Sequence, residues 1–268
     1  MISQPVKYAG LCRRIALILE YDGTNYAGFQ LQDNKPTIQG EVEKALTGLT
    51  LNQTRIHGAG RTDAGVHAKA QVAAFATDVG LPCDTFVRGI NHFLPTDIAV
   101  QSAYEVSPDF DPRRDAKSRT YRYTILCRST PSPLEERHAF RVEKPLDVDA
   151  MNCALKSIEG IHDFSRLTVS PEPGTTTVRE VFDTQIWEDH GTITFEIKAN
   201  AFLRHQMRRI AGMLVQTGSQ QMSMGSVRAI LDDHSKTNRQ SAIPTLPPQG
   251  LCLINVAYED FPPNEHQT

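Results

Sequence analysis

Apolar positions along this chain follow two rhythms, an alternation of two and a spacing of three and four, and these predict its elements. Arg14 to Tyr21 is apolar and β-rich, and Asp22-Gly23 ends it. After an irregular aromatic-containing loop, Pro36-Thr37 starts a helix whose Ile38, Val42, Ala45, Leu46 and Leu49 keep the helical period. Strands are predicted over Thr54 to Ala59 and Gln71 to Thr77. Asp84 is placed to cap a short helix carrying Phe86, Val87 and Ile90, and Ile98 to Val106 reads as a strand.

The second half repeats this order. Arg119 to Leu126 alternates as a strand, and Asp147 is placed to cap a helix presenting Met151, Ala154, Leu155 and Ile158. Val178 to Trp187 and Thr192 to Ala199 read as strands around an Asp189-His190-Gly191 turn. A helix is predicted from Ala201 to about Thr217, with Leu203, Met207, Ile210 and Leu214 on one side. A short helix near Val227 to Leu231 and a strand over Leu251 to Tyr258 complete the chain. Ser129 to Pro133 and Leu167 to Thr177 read as loops. Each half therefore runs strand, helix, strand, strand, helix, strand, the split βαβ or ferredoxin-like arrangement twice over. The expected class is α+β, with helices packed on an extended antiparallel or mixed sheet. The repeat is one of pattern, without matching residues. Prolines and charges near Asp109 to Pro112 place the expected boundary there, with halves 1–112 and 113–268.

Composition narrows the class of protein. With 268 residues, 40% hydrophobic and 22% charged, the chain can bury a substantial core. Disorder is expected only in the last several residues and before Cys12. The longest uninterrupted apolar run, Ile15 to Leu19, is too short to span a bilayer, and the N-terminus shows no apolar leader, so no membrane is expected as a partner. The five scattered cysteines form no C-x-x-C and suggest neither a zinc site nor a disulfide framework. A reducing cytoplasm fits them.

The net charge of −3 argues against a polyanion partner until its distribution is considered. Arg113 to Arg128 holds six basic residues and one acid, and Arg204 to Arg209 three arginines and no acid. These basic segments suit a polyanion-binding cleft, although solvated arginine faces give the same pattern.

The densest chemistry lies in Gly60-Arg61-Thr62-Asp63-Ala64-Gly65-Val66-His67, between two predicted strands. Gly60 and Gly65 permit a tight, left-handed backbone around Asp63. Arg61 and Asp63, two apart, point to one side of an extended stretch, and a guanidinium beside a carboxylate orients it. An oriented carboxylate on a rigid loop can serve as nucleophile or base. A plain Asp-containing turn is the competing reading. His67 is a second candidate base or binding residue, although an isolated loop histidine is more often structural. On the strand after Arg119, Tyr121 and Tyr123 share a face, and a tyrosine there can stack on a nucleobase or simply fill the core. On the later helix, Arg204 and Arg208 lie four apart, as do His205 and Arg209. Gly212, one turn beyond Arg208, would admit another backbone. No phosphate-binding loop, dinucleotide fingerprint or metal-ligand spacing is present, so no cofactor and no metal are indicated.

The Gly60 to His67 segment, followed by Gln71-Val72 and Phe75, strongly resembles the motif of the TruA-type tRNA pseudouridine synthases. Matching pieces lie in order along nearly the whole chain. They include Glu20-Tyr21-Asp22-Gly23, Tyr26 with Gly28-Phe29-Gln30, Asn91 with Leu94-Pro95 and Asp97-Ile98, and Arg119 with Tyr121-Arg122-Tyr123. Asn200-Ala201-Phe202-Leu203, Met207-Arg208, Gly212 and Gly250-Leu251 extend the match. Phe29 stands where many members have tryptophan, and Gln206 replaces a usual apolar residue.

The resemblance implies the pseudouridine synthase fold and isomerisation of uridine to pseudouridine in the anticodon stem-loop of tRNA, at positions 38–40, by a cytoplasmic homodimer without cofactor. It implies that Asp63 is the essential aspartate, that Tyr121 stacks on the target base, that Arg208 pairs with the aspartate, and that Arg61 helps the base leave the stack. A non-catalytic tandem RNA-binding protein is the main alternative, but the central strands Ile15 to Leu19 and Val72 to Phe75 offer only Phe75 as an aromatic. A glycoside or nucleoside hydrolase would usually need a second carboxylate near Asp63.

Overall fold

The computed structural model describes residues 12–169, 174, 176–232 and 243–262. The tails expected to be disordered, and part of the 167–177 loop, lie outside the described residues. The chain divides into two compact units, unit 1 comprising 1–117 with 253–268 and unit 2 comprising 118–252. This differs from halves at 1–112 and 113–268, because the last strand is a neighbour of a strand in the first unit.

Unit 1 holds strands β1 (Arg13–Tyr21), β2 (His57–Gly58), β3 (His67–Thr77), β4 (Ile98–Val106) and most of β10 (Leu251–Ala257), with helices α1 (Ile38–Thr50) and α2 (Cys83–Phe93). The strand order is β4-β1-β3-β10, with β2 on β3. β1 runs antiparallel to both β3 and β4. Ile15 faces Phe75, Leu17 faces Ala73 and Leu19 faces Gln71 in register. These side chains are buried, and Phe75 meets Phe86 of α2 edge to face at 5.6 Å.

The cap of α1 is Thr37, whose hydroxyl accepts from Gly40 N at 3.2 Å. α2 has Pro82 at its N-cap and no side-chain cap bond, so Asp84 sits in the first turn instead of capping it. The strand expected over Thr54 to Ala59 shrinks to His57–Gly58. Side chains of α1 take the backbone groups before it: Ile56 N donates to Glu43 Oε1, and Ile56 O accepts from Gln39 Nε2.

Unit 2 holds β5 (Ser118–Cys127), β6 (Phe140–Val142), β7 (Gly160–Asp163), β8 (Val178–Asp189) and β9 (Thr192–Ala199). Its order is β5-β9-β8-β7, all antiparallel, with β6 parallel to β5. β8 and β9 turn through His190 and Gly191, whose φ values of 47° and 78° give the left-handed pair that a tight hairpin requires. α3 (Val148–Lys156) starts at Asp147, whose carboxylate accepts from Ala150 N at 2.9 Å, as its sequence predicts. α4 (Gln206–Gly218) and α5 (Met224–Asp232) follow.

α4 begins later than the apolar period suggests. Gln206 Oε1 accepts from Leu203 N while Gln206 N donates to Leu203 O, closing a turn before the helix. His205 is the left-handed N-cap. Arg204 and Arg208 therefore do not share a helical face, nor do His205 and Arg209. Gly212 meets its expectation, since a Cβ there would fall 2.1 Å from Pro244 O. Gly212→Ala should therefore lower stability by about 1–3 kcal/mol through overpacking. Urea denaturation followed by circular dichroism checks this.

Candidate active site

Residues 59–66 connect β2 to β3 and carry Asp63. Unit 1 braces this loop along most of its length. Ala59 N donates to Val72 O at 2.8 Å, and the fully buried Gln71 donates its amide to Gly60 O at 3.0 Å. From the segment after β1, Phe29 N donates to Thr62 O at 3.1 Å, and Tyr26 O accepts from Gly65 N at 3.3 Å. The buried Thr62 hydroxyl shares a 2.8 Å hydrogen bond with Tyr21. Val66 N closes the turn on Asp63 O at 3.2 Å.

Two glycines make that bracing possible. Gly28 has φ +104°, and a Cβ on it would lie 2.7 Å from Thr62 O. A Cβ on Gly23 would lie 2.0 Å from Val66 O. Within the loop itself Gly65 is left-handed at φ +77°, whereas Gly60 is not among the positive-φ residues and has open space around it. The outcome is an alternation: Thr62 points inward, while Asp63 is half-buried and Arg61 exposed on either side of it.

His67 is buried at the start of β3 and ties the loop to the Asp22–Gly23 turn. Its Nδ1 accepts from Gly23 N at 3.1 Å and lies 3.1 Å from Asp22 Oδ1. A neutral ring with its proton on Nε2 satisfies Gly23, whereas a ring protonated on Nδ1 satisfies Asp22.

Unit 2 carries the other candidates. Tyr121 and Tyr123 lie on one face of β5 and are both buried. Tyr123 is a core residue: its ring stacks on Phe195 at 5.8 Å and 19°, and its hydroxyl donates to Pro247 O at 2.8 Å. Burial holds its phenol above the ordinary range, and the positive charge of Arg208 works against that shift. Tyr121 meets the edge of Phe202 at 5.0 Å and 77°. Arg208 lies in the first turn of α4, where Nε donates to Leu246 O at 2.7 Å and the backbone oxygen accepts from Leu246 N at 3.1 Å. Its neighbour Arg209 donates to Thr168 O at 3.1 Å and Ile243 O at 3.4 Å, and burial lowers its pKa.

Arg61, Asp63 and His67 all lie in unit 1, and Tyr121 and Arg208 both lie in unit 2. The contributions of Tyr21, Gly28, Thr62 and Gln71 as braces escaped the sequence reading. All four belong to the motifs of the resemblance, but only their long-range contacts reveal their task. The basic stretch after Arg113 is also partly neutralised. Arg114 pairs with Asp115, Lys117 with Glu259, Arg122 with Glu196 and Arg128 with Glu135.

Comparison with known proteins bears on this arrangement. The profile of a family described as tRNA pseudouridine synthase matches residues 17–113 and 154–259. The tRNA pseudouridine synthase A of Geobacter sp. strain M21 is 42% identical over 248 residues, covering 92% of this chain and 100% of the relative. That of Myxococcus xanthus is 41% identical over 251 residues, covering 93% and 94%. That of Chloroflexus aurantiacus is 41% identical over 250 residues, covering 92% and 89%.

The fold is that of an α+β pseudouridine synthase, a class of isomerases. The chain belongs to the tRNA pseudouridine synthase family. Arg61, Asp63, His67 and Arg208 fall inside the matched residues, and Tyr121 falls between them.

Gly28→Ala tests the bracing directly. The added methyl meets Thr62 O and the φ is left-handed, so a loss of about 2 kcal/mol or more is expected in chemical denaturation.

Proposed function

We propose that this chain isomerises uridine to pseudouridine in the anticodon stem-loop of tRNA, at positions 38–40, with Asp63 as the reacting carboxylate. One observation carries the reading: a half-buried aspartate on a loop braced at Gly60, Thr62 and Gly65, in a chain of this family. The reaction breaks the bond between ribose C1′ and N1, turns the base, and joins C1′ to C5. C5 gives up its proton and N1 gains one, so the composition of the nucleoside is unchanged. A single carboxylate suffices, acting either as a nucleophile or as a base at the sugar.

The remaining roles are proposed on the resemblance. Tyr121 stacks on the target base, Arg208 supplies the positive charge that pairs with the carboxylate, and Arg61 helps the base leave the helix. His67 acts through the Asp22–Gly23 turn that it holds. Extruding a stacked uridine costs about a few kcal/mol, which stacking and phosphate contacts offset. A cytoplasmic homodimer completes the reading, and two basic surfaces serving one tRNA reconcile RNA binding with a net charge of −3.

Asp63→Ala is expected to abolish tritium release from C5-labelled uridine in an anticodon-arm transcript while leaving binding of that transcript nearly intact. Full activity of the variant would refute the assignment. Arg208→Ala is expected to keep the fold and lose most of the activity. Circular dichroism and the same tritium assay check both parts, and wild-type turnover would remove Arg208 from the site.

A further inference from the structure

Unit 1 contains a cleft of about 500 Å³ that extends beyond the residues given roles above. Gly60 and Arg61, at the start of the Asp63 loop, form part of its lining. Arg55, His57 and Arg113 line it as well, together with the buried Phe29. Arg55, Arg61 and Arg113 are all exposed, so three guanidiniums border one cavity.

Glu43 and Asp111 are acidic neighbours of this lining, and each also accepts from backbone. Glu43 Oε2 lies 3.3 Å from Arg55, while its Oε1 accepts from Ile56 N at 3.0 Å and from Gln39 Nε2 at 2.8 Å. Asp111 accepts from the backbone N–H groups of Arg113 and Arg114 at 2.8 and 2.9 Å. The Arg114 bond is the larger cause of a carboxyl held below the usual range.

Glycine shapes the rest. A Cβ on Gly58 would collide with the Phe29 ring at 2.5 Å, and a Cβ on Gly60 would point into open space. Forked, permanently charged donors around an open glycine backbone suit an anionic group with several acceptor oxygens. The cleft extends to Arg61, two residues before Asp63, so an anion held here sits on the chain that leads to the reacting carboxylate.

We infer that this cleft binds the phosphodiester backbone next to the target uridine, with Arg55 and Arg113 as its phosphate ligands. The inference rests on the reading of the chain as a tRNA-modifying enzyme. It deepens that reading by naming where the strand is held in register. Phosphate contacts of this kind position the substrate without reading its sequence.

The test measures binding of in vitro transcribed tRNA to the full chain over a range of salt concentrations. Arg55→Gln, Arg113→Gln and the double variant are compared with wild type. Both side chains are exposed, so the fold should persist. Each single variant is expected to weaken binding several-fold and to reduce the salt slope of log K by roughly 0.7–0.9, with the double variant losing about twice that. Arg88→Gln, an exposed arginine of α2 outside the cleft lining, should leave affinity and slope at wild-type values. An unchanged slope in the double variant, or an equal loss in Arg88→Gln, would overturn the inference. If wild type binds tRNA and shows these slope changes but releases no C5 tritium, the isomerase reading fails and the cleft assignment stands. If wild type does not bind tRNA at all, both fall.

Discussion

Everything proposed for this protein depends on keeping one carboxylate still. Asp63 sits on a loop between strands, the kind of segment that usually moves. Here the backbone on both sides of it is spoken for. Thr62 O accepts from Phe29 N, Gly65 N donates to Tyr26 O, and Gly60 O accepts from the buried Gln71 amide. The inward residue between Arg61 and Asp63 is Thr62, whose hydroxyl meets that of Tyr21. The segment 26–29 can approach this closely because Gly28 has no side chain and takes a left-handed φ. Preorganisation of this sort avoids the ordering cost that a mobile loop would bear at each encounter.

The second unit uses the same device with different parts. α4 carries Arg208 and Arg209 next to each other, and both are aimed by backbone carbonyls. Leu246 both accepts from Arg208 Nε and donates to the Arg208 carbonyl, which fixes the plane of the guanidinium. That segment reaches the helix because Gly212 admits the Pro244 carbonyl. Farther along, Gly250 lies where a Cβ would strike Thr124 O and the Tyr123 ring at 2.7 and 2.8 Å. One chain segment thus presses on the arginine helix at one end and on the tyrosine strand at the other. Gly212 thus bears on the segment that holds Arg208, and Gly250 on the core ring of Tyr123.

What could be read from the sequence was local, and what could not was distant. Asp147 announced its cap because the apolar period begins just after it, and Gly212 announced a close approach because it interrupts an apolar helix. The apolar period runs on through Leu203, but α4 starts only at Gln206, whose side chain folds back on Leu203 N. The strand over Thr54 to Ala59 shortens to His57–Gly58 because Glu43 and Gln39 of α1 take the backbone groups of Ile56. Asp63 stood out as an anomaly of composition. Its support did not, since Tyr21 and Thr62 are 41 residues apart in the chain.

Charge shows the same limit. The basic stretch from Arg113 is plain in the sequence, but its acidic partners Glu196 and Glu259 lie far along the chain. The Lys117 and Arg114 pairs are exposed, and exposed ion pairs are weak and easily screened. A phosphate offers a cation a better partner than a solvated carboxylate does, because counterions released from the nucleic acid add to the gain. Arg122 differs: its Nε and Nη2 both donate to Glu196 at 2.8 and 2.6 Å on a half-buried strand face. That forked bond would have to be given up in full before Arg122 could serve RNA. The basic residues therefore divide by burial. Exposed cations such as Arg114 and Lys117 can exchange a carboxylate for a polyanion, whereas half-buried Arg122 belongs to the sheet.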